Sequence, residues 1–512
     1  MKRVLIIGTH PIRDDLQRQY EAQLCLTKEI SCSEAKANVK AISEFDEYVL
    51  LSDFNAIEKV AADTEMIGLL DALAKQRKEA GQTNRVLCHM LLQTSIRQKL
   101  IKHNFTEEVR QMFEVNTFSM NDLWARKIQF DYESIDVDSN RRVRVVVFGR
   151  SDMAEAVMTA AAQACHFPNY VRNSELRTRI TWVVDNIEVE STRFISLNNE
   201  LFEQSYYRVI DPSLQNPILQ AHYPQYHGQR KDFVDVEWEF VKGDSYSPTV
   251  IAQLKTWTQN KDELLTIVFA DSQNNVNLEG AHSLPHMVYE KKIPVWVYAP
   301  DPTFFKGLVF SPKYSSLHPF GNVASGYDIT IPEVKMGKVV NFIYCLCHEE
   351  NDSEAHPFTN LSSVIYATGI DHKRAEQLWK ELANDKRESN LSNARSIPVK
   401  LRSLGITDGE IELSQAEIEL MAQVEHNRWS VEQLLLDYRP CTDEELRSVA
   451  RDGKEKVRLK KEFKVHTDLC AFSELQPDDK GKPAELYDLY LCAALPIILK
   501  EIETPNTDAI AL

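Results

Sequence analysis

Two stretches about 140 positions apart follow one plan, and that plan narrows the fold more than any other feature. Val4-Leu5-Ile6-Ile7 runs into Gly8, and Val143-Arg144-Val145-Val146-Val147-Phe148 runs into Gly149. Each is followed by a helical stretch, then by an apolar run closed with Asp, Asp53 in one case and Asp185 in the other. A short apolar run bounded by turn residues reads as a strand buried on both faces. Strands that alternate with helices build a parallel sheet with covered faces. In the first unit, residues 47–52, 85–92 and 113–118 supply further strands, and 16–22, 64–80 and 121–128 supply helices; Met66, Leu69, Leu70 and Leu73 fall at helical spacing. In the second, residues 179–184, 264–270 and 294–298 are strands, 153–165 is a tightly packed helix, and 338–347 closes the unit as a last apolar run. The pattern predicts two tandem α/β units, residues 1–140 and 141–350, joined through the polar stretch 131–142.

Beyond residue 350 the strand pattern stops. Residues 351–412 read as a helical connector, with helices at 361–383 and 399–404 separated by the polar stretch 384–396. Ser414-Gln415-Ala416-Glu417 is a capping box, in which the Ser oxygen and the Glu carboxylate each satisfy an orphan backbone N–H. It opens a helix to about Leu436, with Ile418, Met421, Val424, Val431 and Leu435 on a core side. Residues 451–464 carry seven basic against three acidic side chains, and 484–500 reads as a final helix. Residues 413–512 are therefore expected to form a small, mainly helical domain.

Composition excludes several classes. The chain has 512 residues, is 43% hydrophobic and carries a net charge of −17. That apolar fraction rules out wholesale disorder, and the acidity repels nucleic-acid phosphate, so no nucleic-acid partner is expected. No run approaches the ~20 apolar residues that cross a bilayer, so no membrane insertion is expected. The opening apolar run is too short for a signal-peptide core. Nine cysteines without a repeating frame fit a reducing compartment, and the chain reads as a cytoplasmic one.

Candidate chemistry gathers at two places. The strand, Gly149-Arg150-Ser151-Asp152-Met153-Ala154, then helix is the layout of a dinucleotide-binding turn. It offers a sharp turn, a helix N-terminus for pyrophosphate, Ala154 where helix and strand pack closely, and Asp185 for a ribose hydroxyl. Ser151 stands where the middle glycine belongs and would crowd the pyrophosphate. Asp271, after the strand 264–270, lines the same edge or caps the next helix. The Gly8 turn is a weaker version, with Pro11 removing a donor. Cys345-Leu346-Cys347-His348 with His356 is not a usual zinc spacing, and the two cysteines alternate as in a strand, so no metal is expected. No P-loop, Gly-x-Ser-x-Gly or EF-hand motif is present.

The second place is Glu425-His426-Asn427-Arg428-Trp429. Glu425, Arg428, Trp429 and Glu432 lie three and four positions apart on one helical flank. A Trp among charges there either packs on a neighbour or walls a site for a planar or cationic ligand, and Arg439, Lys461 and His466 could meet phosphates. Glu425-His426-x-x-Trp429, His466-x-Asp468-Leu469-x-x-Phe472-x-x-Leu475 and Tyr487-Asp488 together resemble the repeat of ryanodine receptors over residues 415–500. The chain departs from it at Thr467 and Ala471, where the loop usually has Pro. Residues 143–185 are similar to the Trk/RCK-type NAD-binding domain, a Rossmann-like fold. The resemblances imply two Rossmann-like doubly wound domains followed by a ryanodine-receptor-repeat helical domain. They imply a non-catalytic sensor or regulatory scaffold that binds NAD or an adenine nucleotide. The companions they imply are a homodimer mate and a protein partner at the C-terminal domain. The rival expectations are a nucleotide-processing or NAD-consuming enzyme, such as one in a defence system, and a pure interaction module with degenerate nucleotide folds.

Overall fold

The computed structural model describes residues 1–53, 58–93, 105–224, 231–301, 312–322, 326–329, 332–349, 370–382, 384–406, 412–477 and 484–503. The first unit runs β1 (Arg3–Ile7), α1 (Arg13–Ala22), β2 (Leu26–Ile30), α2 (Cys32–Ala37), β3 (Glu47–Leu51), α3 (Lys59–Glu79), β4 (Val86–Leu91), α4 (Glu107–Met112), β5 (Phe113–Phe118) and α5 (Met120–Ala125). Its five strands are all parallel, in the order β2-β1-β3-β4-β5. Met66, Leu69, Leu70 and Leu73 face the sheet from α3 and are buried, as their spacing requires. The edge strand β2 (Leu-Thr-Lys-Glu-Ile) is half exposed and carries no apolar run to betray it in the sequence.

The second unit continues with β6 (Arg142–Phe148), α6 (Asp152–Ala164), β7 (Thr178–Val184), α7 (Ile187–Leu197), α8 (Asn199–Gln204), β8 (Tyr206–Ile210), β9 (Ile218–His222), β10 (Val236–Lys242), α9 (Pro248–Gln259), β11 (Glu263–Phe269), α10 (Asn274–Ser283), α11 (His286–Glu290), β12 (Val295–Tyr298) and β13 (Leu317–Phe320). Its eight strands lie in the order β13-β12-β11-β6-β7-β10-β8-β9, parallel except for the β8–β9 hairpin. The order in which strands are added reverses between β6 and β11, which remain parallel. Open α/β sheets place ligands at such a switch point, beyond the carboxyl ends of the strands. The strands β8, β9 and β10 were not legible beforehand. In β10 (Val-Glu-Trp-Glu-Phe-Val-Lys) two glutamates interrupt the apolar run; Glu239 is buried against Arg144 and Arg208.

The helical body comprises α12 (Pro332–Glu349), α13 (His372–Glu381), α14 (Asn384–Ser403), α15 (Gln415–Leu435), β14 (Arg439–Pro440), α16 (Asp443–Arg451), α17 (Lys454–Phe463), β15 (Val465–His466), α18 (Leu486–Ala493) and α19 (Leu495–Glu503). Three expectations are corrected here. Residues 338–347 are not a closing strand but part of α12, which packs against α13, α14 and α18. The polar stretch 384–396 does not separate two helices; it is the first half of α14. Residues 484–500 hold two consecutive helices rather than one. The expected helix at 361–383 has its described part in α13; residues 361–369 and 383, like His356, lie outside the described residues. No helix among the described residues is long and apolar enough to cross a membrane.

Candidate functional site

Gly149, Asp185 and Asp271 meet at the switch point, around a crevice of about 300 Å³ at the carboxyl ends of β6, β7, β10 and β11. Gly149 has φ +114°, and a Cβ there would lie 2.4 Å from the Asp271 nitrogen and 2.8 Å from the Ala270 carbonyl carbon. The neighbouring strand end, rather than any ligand, demands this glycine. Gly149→Ala is therefore expected to lower stability by about 1–3 kcal/mol in chemical denaturation without ligand. A glycine kept only for pyrophosphate would cost binding and leave stability unchanged.

The rest of the turn is also engaged internally. Ser151 caps α6, its oxygen accepting from the Ala154 amide at 3.1 Å while its hydroxyl donates to the Ala270 carbonyl. The Arg150 amide, which a phosphate oxygen would take, donates to Asp271 Oδ2 at 3.1 Å. Asp185, Asp244 and Asp271 line the crevice, and burial together with Asp244 raises the Asp185 carboxyl above its ordinary range. Arg150 is the cation among these lining residues, and its guanidinium reaches Glu190 at 2.6 Å. Three carboxylates around 300 Å³ oppose a diphosphate.

The helical body encloses a larger cavity, about 620 Å³, walled by α12, α13, α14, α15, α17 and α18. Its centre is α15, and the local sequence explains why. The Ser414 oxygen accepts from the Glu417 amide at 3.3 Å and Glu417 Oε2 accepts from the Ser414 amide at 2.7 Å, closing the expected capping box. Ile418, Met421, Val424, Val431 and Leu435 are buried as their spacing requires. The charged flank is buried too. Arg428 donates to both oxygens of Glu425 at 2.8 and 2.9 Å, to Glu432 at 2.7 Å and to the Ser392 hydroxyl at 2.7 Å. Glu425 also accepts from Lys400 at 2.5 Å and Asn393 at 2.7 Å, both on α14. Burial alone would raise the Glu425 carboxyl, but Arg428 and Lys400 outweigh it and hold it far below its ordinary range.

Trp429 is half-buried on the cavity side, its ring 4.9 Å from the His466 ring and 5.6 Å from that of His426. His426 Nδ1 lies 3.2 Å from Asp488 and Nε2 2.9 Å from the Cys470 carbonyl. A ring set between two acceptors donates from both nitrogens only as imidazolium. Accordingly, Asp488 and the carbonyl overcome the lowering effect of burial and raise His426. For His466, burial and the Lys460 ammonium push the other way and keep the ring neutral; Lys460 Nζ sits 2.8 Å from its Nε2. Tyr344 and Tyr487 stack at 5.0 Å along another wall. Asn341, 1% exposed, accepts from Asn390 at 3.2 Å, while its Nδ2 has no partner among the described residues.

Of the expected residues, Glu425, Arg428, Trp429 and His466 come together here. Arg439 and Lys461 do not line the cavity: Arg439 is bidentate to Glu445 at 2.8 and 2.9 Å, and Lys461 is exposed on α17. Arg428 is held by two glutamates; among the described lining residues Lys386 and Lys460 are the other lysine or arginine cations, and Lys460 also meets His466. The basic count of residues 451–464 pointed to the right helix but to its neighbouring lysine. Lys386, Asn341 and Tyr344 carried no motif signal. Among the described residues no group of three or more His, Cys, Asp or Glu could hold a metal ion, and Cys345 and Cys347 lie on α12, not on a strand. No family model, no curated protein and no solved structure matches this chain.

Proposed function

We propose that the chain is a non-catalytic sensor of a planar, phosphorylated ligand of the NAD or adenine-nucleotide class, bound in the helical-body cavity. The observation that carries this reading is the half-buried indole of Trp429 in a hollow of about 620 Å³ that also presents Lys386 and Lys460. That volume suits a nucleotide, an indole face stacks on a base, and ammonium groups meet phosphate. The ryanodine-receptor-repeat reading of this domain agrees with a Trp-bearing, Ser-capped helix at its centre. The order β10-β7-β6-β11-β12-β13 supports a Rossmann-like reading of the second unit, and β2-β1-β3-β4-β5 a doubly wound reading of the first. The acidic crevice at Gly149 makes it the poorer nucleotide site.

Both ring nitrogens of His426 are engaged and Glu425 is neutralised, so neither is poised as a general base. This favours recognition over turnover. Calorimetry with ATP, NAD, NADH and cyclic nucleotides tests the reading, with chromatography of the recovered ligand. At least one member should bind tighter than about 1 mM and return unchanged. Base–aromatic stacking contributes about 1–3 kcal/mol, so Trp429→Ala should weaken binding about 5- to 150-fold. A panel with no binder, or a ligand returned as product, defeats the proposal.

A further inference from the structure

The two α/β units face each other across a third hollow, of about 400 Å³, whose chemistry differs from the other two. The first unit contributes the loops after β1, β4 and β5. The second contributes the start of α6, Ser272 after β11, and the end of β12. Carboxyl edges of two parallel sheets thus open onto one space, where such sheets place ligands. The Gly8 turn, which leads into His10 on this wall, is built like the Gly149 turn: φ is +120°, and a Cβ would lie 2.1 Å from the Leu51 carbonyl oxygen.

Among the described lining residues, no charge is left unpaired for an ionic ligand. Lys59 and Asp152, one from each unit, pair with each other at 2.8 Å and are both about half exposed. Burial pushes the His10 ring down to about 4 against the pull of Asp53, so it is neutral near pH 7. The remaining polar groups are amides and hydroxyls. The Asn121 carboxamide has no hydrogen-bond partner among the described residues, and Ser119 accepts from the Asp122 amide at 3.4 Å with its own proton left to donate. Tyr298 forms an aromatic wall, backed by Trp124 with ring centres 6.0 Å apart; the indole is fixed by its bond to the Asn322 carbonyl at 3.1 Å.

Amides and hydroxyls beside an aromatic wall, with no uncompensated charge among the described lining residues, suit hydroxyls on a flat ring rather than a phosphate. We propose that this cleft binds an uncharged, hydroxyl-bearing ring compound of nucleoside or sugar size, with Asn121 and Ser119 bonding its hydroxyls and Tyr298 packing on its face. This site is independent of Trp429.

The test is calorimetry on the full chain with adenosine, D-ribose and AMP. Adenosine or ribose should bind below about 1 mM. A nucleoside ligand would show adenosine at least 10-fold tighter than ribose, and a sugar ligand would show ribose at least as tight. AMP should bind this site at least 10-fold more weakly than adenosine, since its phosphate would be desolvated without a cation. Asn121→Ala and Asn121→Leu, checked for native circular dichroism, should each weaken binding about 10-fold, while Trp429→Ala leaves it unchanged. Absence of binding by both neutral probes, equal binding of AMP in the Trp429→Ala background, or indifference to both Asn121 variants would overturn the proposal.

Discussion

Arg428→Ala should destabilise the helical body by about 3–5 kcal/mol, the usual loss when one partner of a buried ionic cluster is removed. The guanidinium is 2% exposed and makes four hydrogen bonds, three of them to carboxylates. Without it Glu425 retains Lys400 and Asn393, but Glu432 is left as a buried acid without its cation. Glu432 can relieve the strain by taking a proton, and burial already raises its carboxyl against the pull of Arg428. The loss should therefore be smaller at pH 5 than at pH 8. Chemical denaturation followed by circular dichroism at both pH values checks this. A drop under 1 kcal/mol would mean that the cluster is replaceable by water.

Acid should unfold the first unit in two successive windows, each with about 3 kcal/mol at stake. His10 has a folded value of about 4 against an ordinary 6.5, because its buried site favours the neutral ring. The unfolded chain takes that proton first, so stability is complete above 6.5 and declines as pH falls toward 4. For Glu47, burial would raise the carboxyl, but His89, Lys2 and Tyr20 together hold it at about 2 against an ordinary 4.5. Its contribution is in place above 4.5 and disappears as pH falls toward 2. Glu47→Gln should remove the second window and His10→Gln the first, read from denaturation midpoints across pH 2–8. His426 works in the opposite sense. Its folded value is raised, so its contribution is whole below 6.5 and fades as pH rises through that higher value. Unchanged midpoints in Glu47→Gln would show that the Glu47 cluster does not hold the sheet.

The helical-body cavity sits against a helix that also touches the α/β units. From α14, Lys386, Ser389, Asn390 and Asn393 line the cavity, Arg387 reaches Glu114 on β5 at 3.4 Å, and Arg402 is bidentate to Asp131 at 2.7 Å in the stretch joining the two sheets. A ligand that shifts α14 would therefore bear on both units, which gives the proposed sensor a physical means of reporting.

What could be read from the chain alone was whatever repeats over a few residues. Apolar runs closed by Gly8 and Gly149 announced β1 and β6, Met66 to Leu73 announced the buried side of α3, and Ser414 with Glu417 announced the start of α15, because strand burial, helical period and capping are local. Only the end of α14, at 399–404, was legible; its longer first part reads as a polar separator because its buried positions include Arg387, Asn393 and Ser396, which a hydropathy pattern assigns to solvent. The burial of Asn393 and Lys400 is tolerable only because α15 brings Glu425 to them. The same limit governs the site. Spacing placed Glu425, Arg428 and Trp429 on one flank and within pairing reach, but tertiary packing decided that the first two would be buried with Lys400 and Asn393 and that the indole would share its cavity with Lys386 and Lys460. Local periodicity reports how a segment folds; the partner a buried polar group finds depends on which distant segment packs against it.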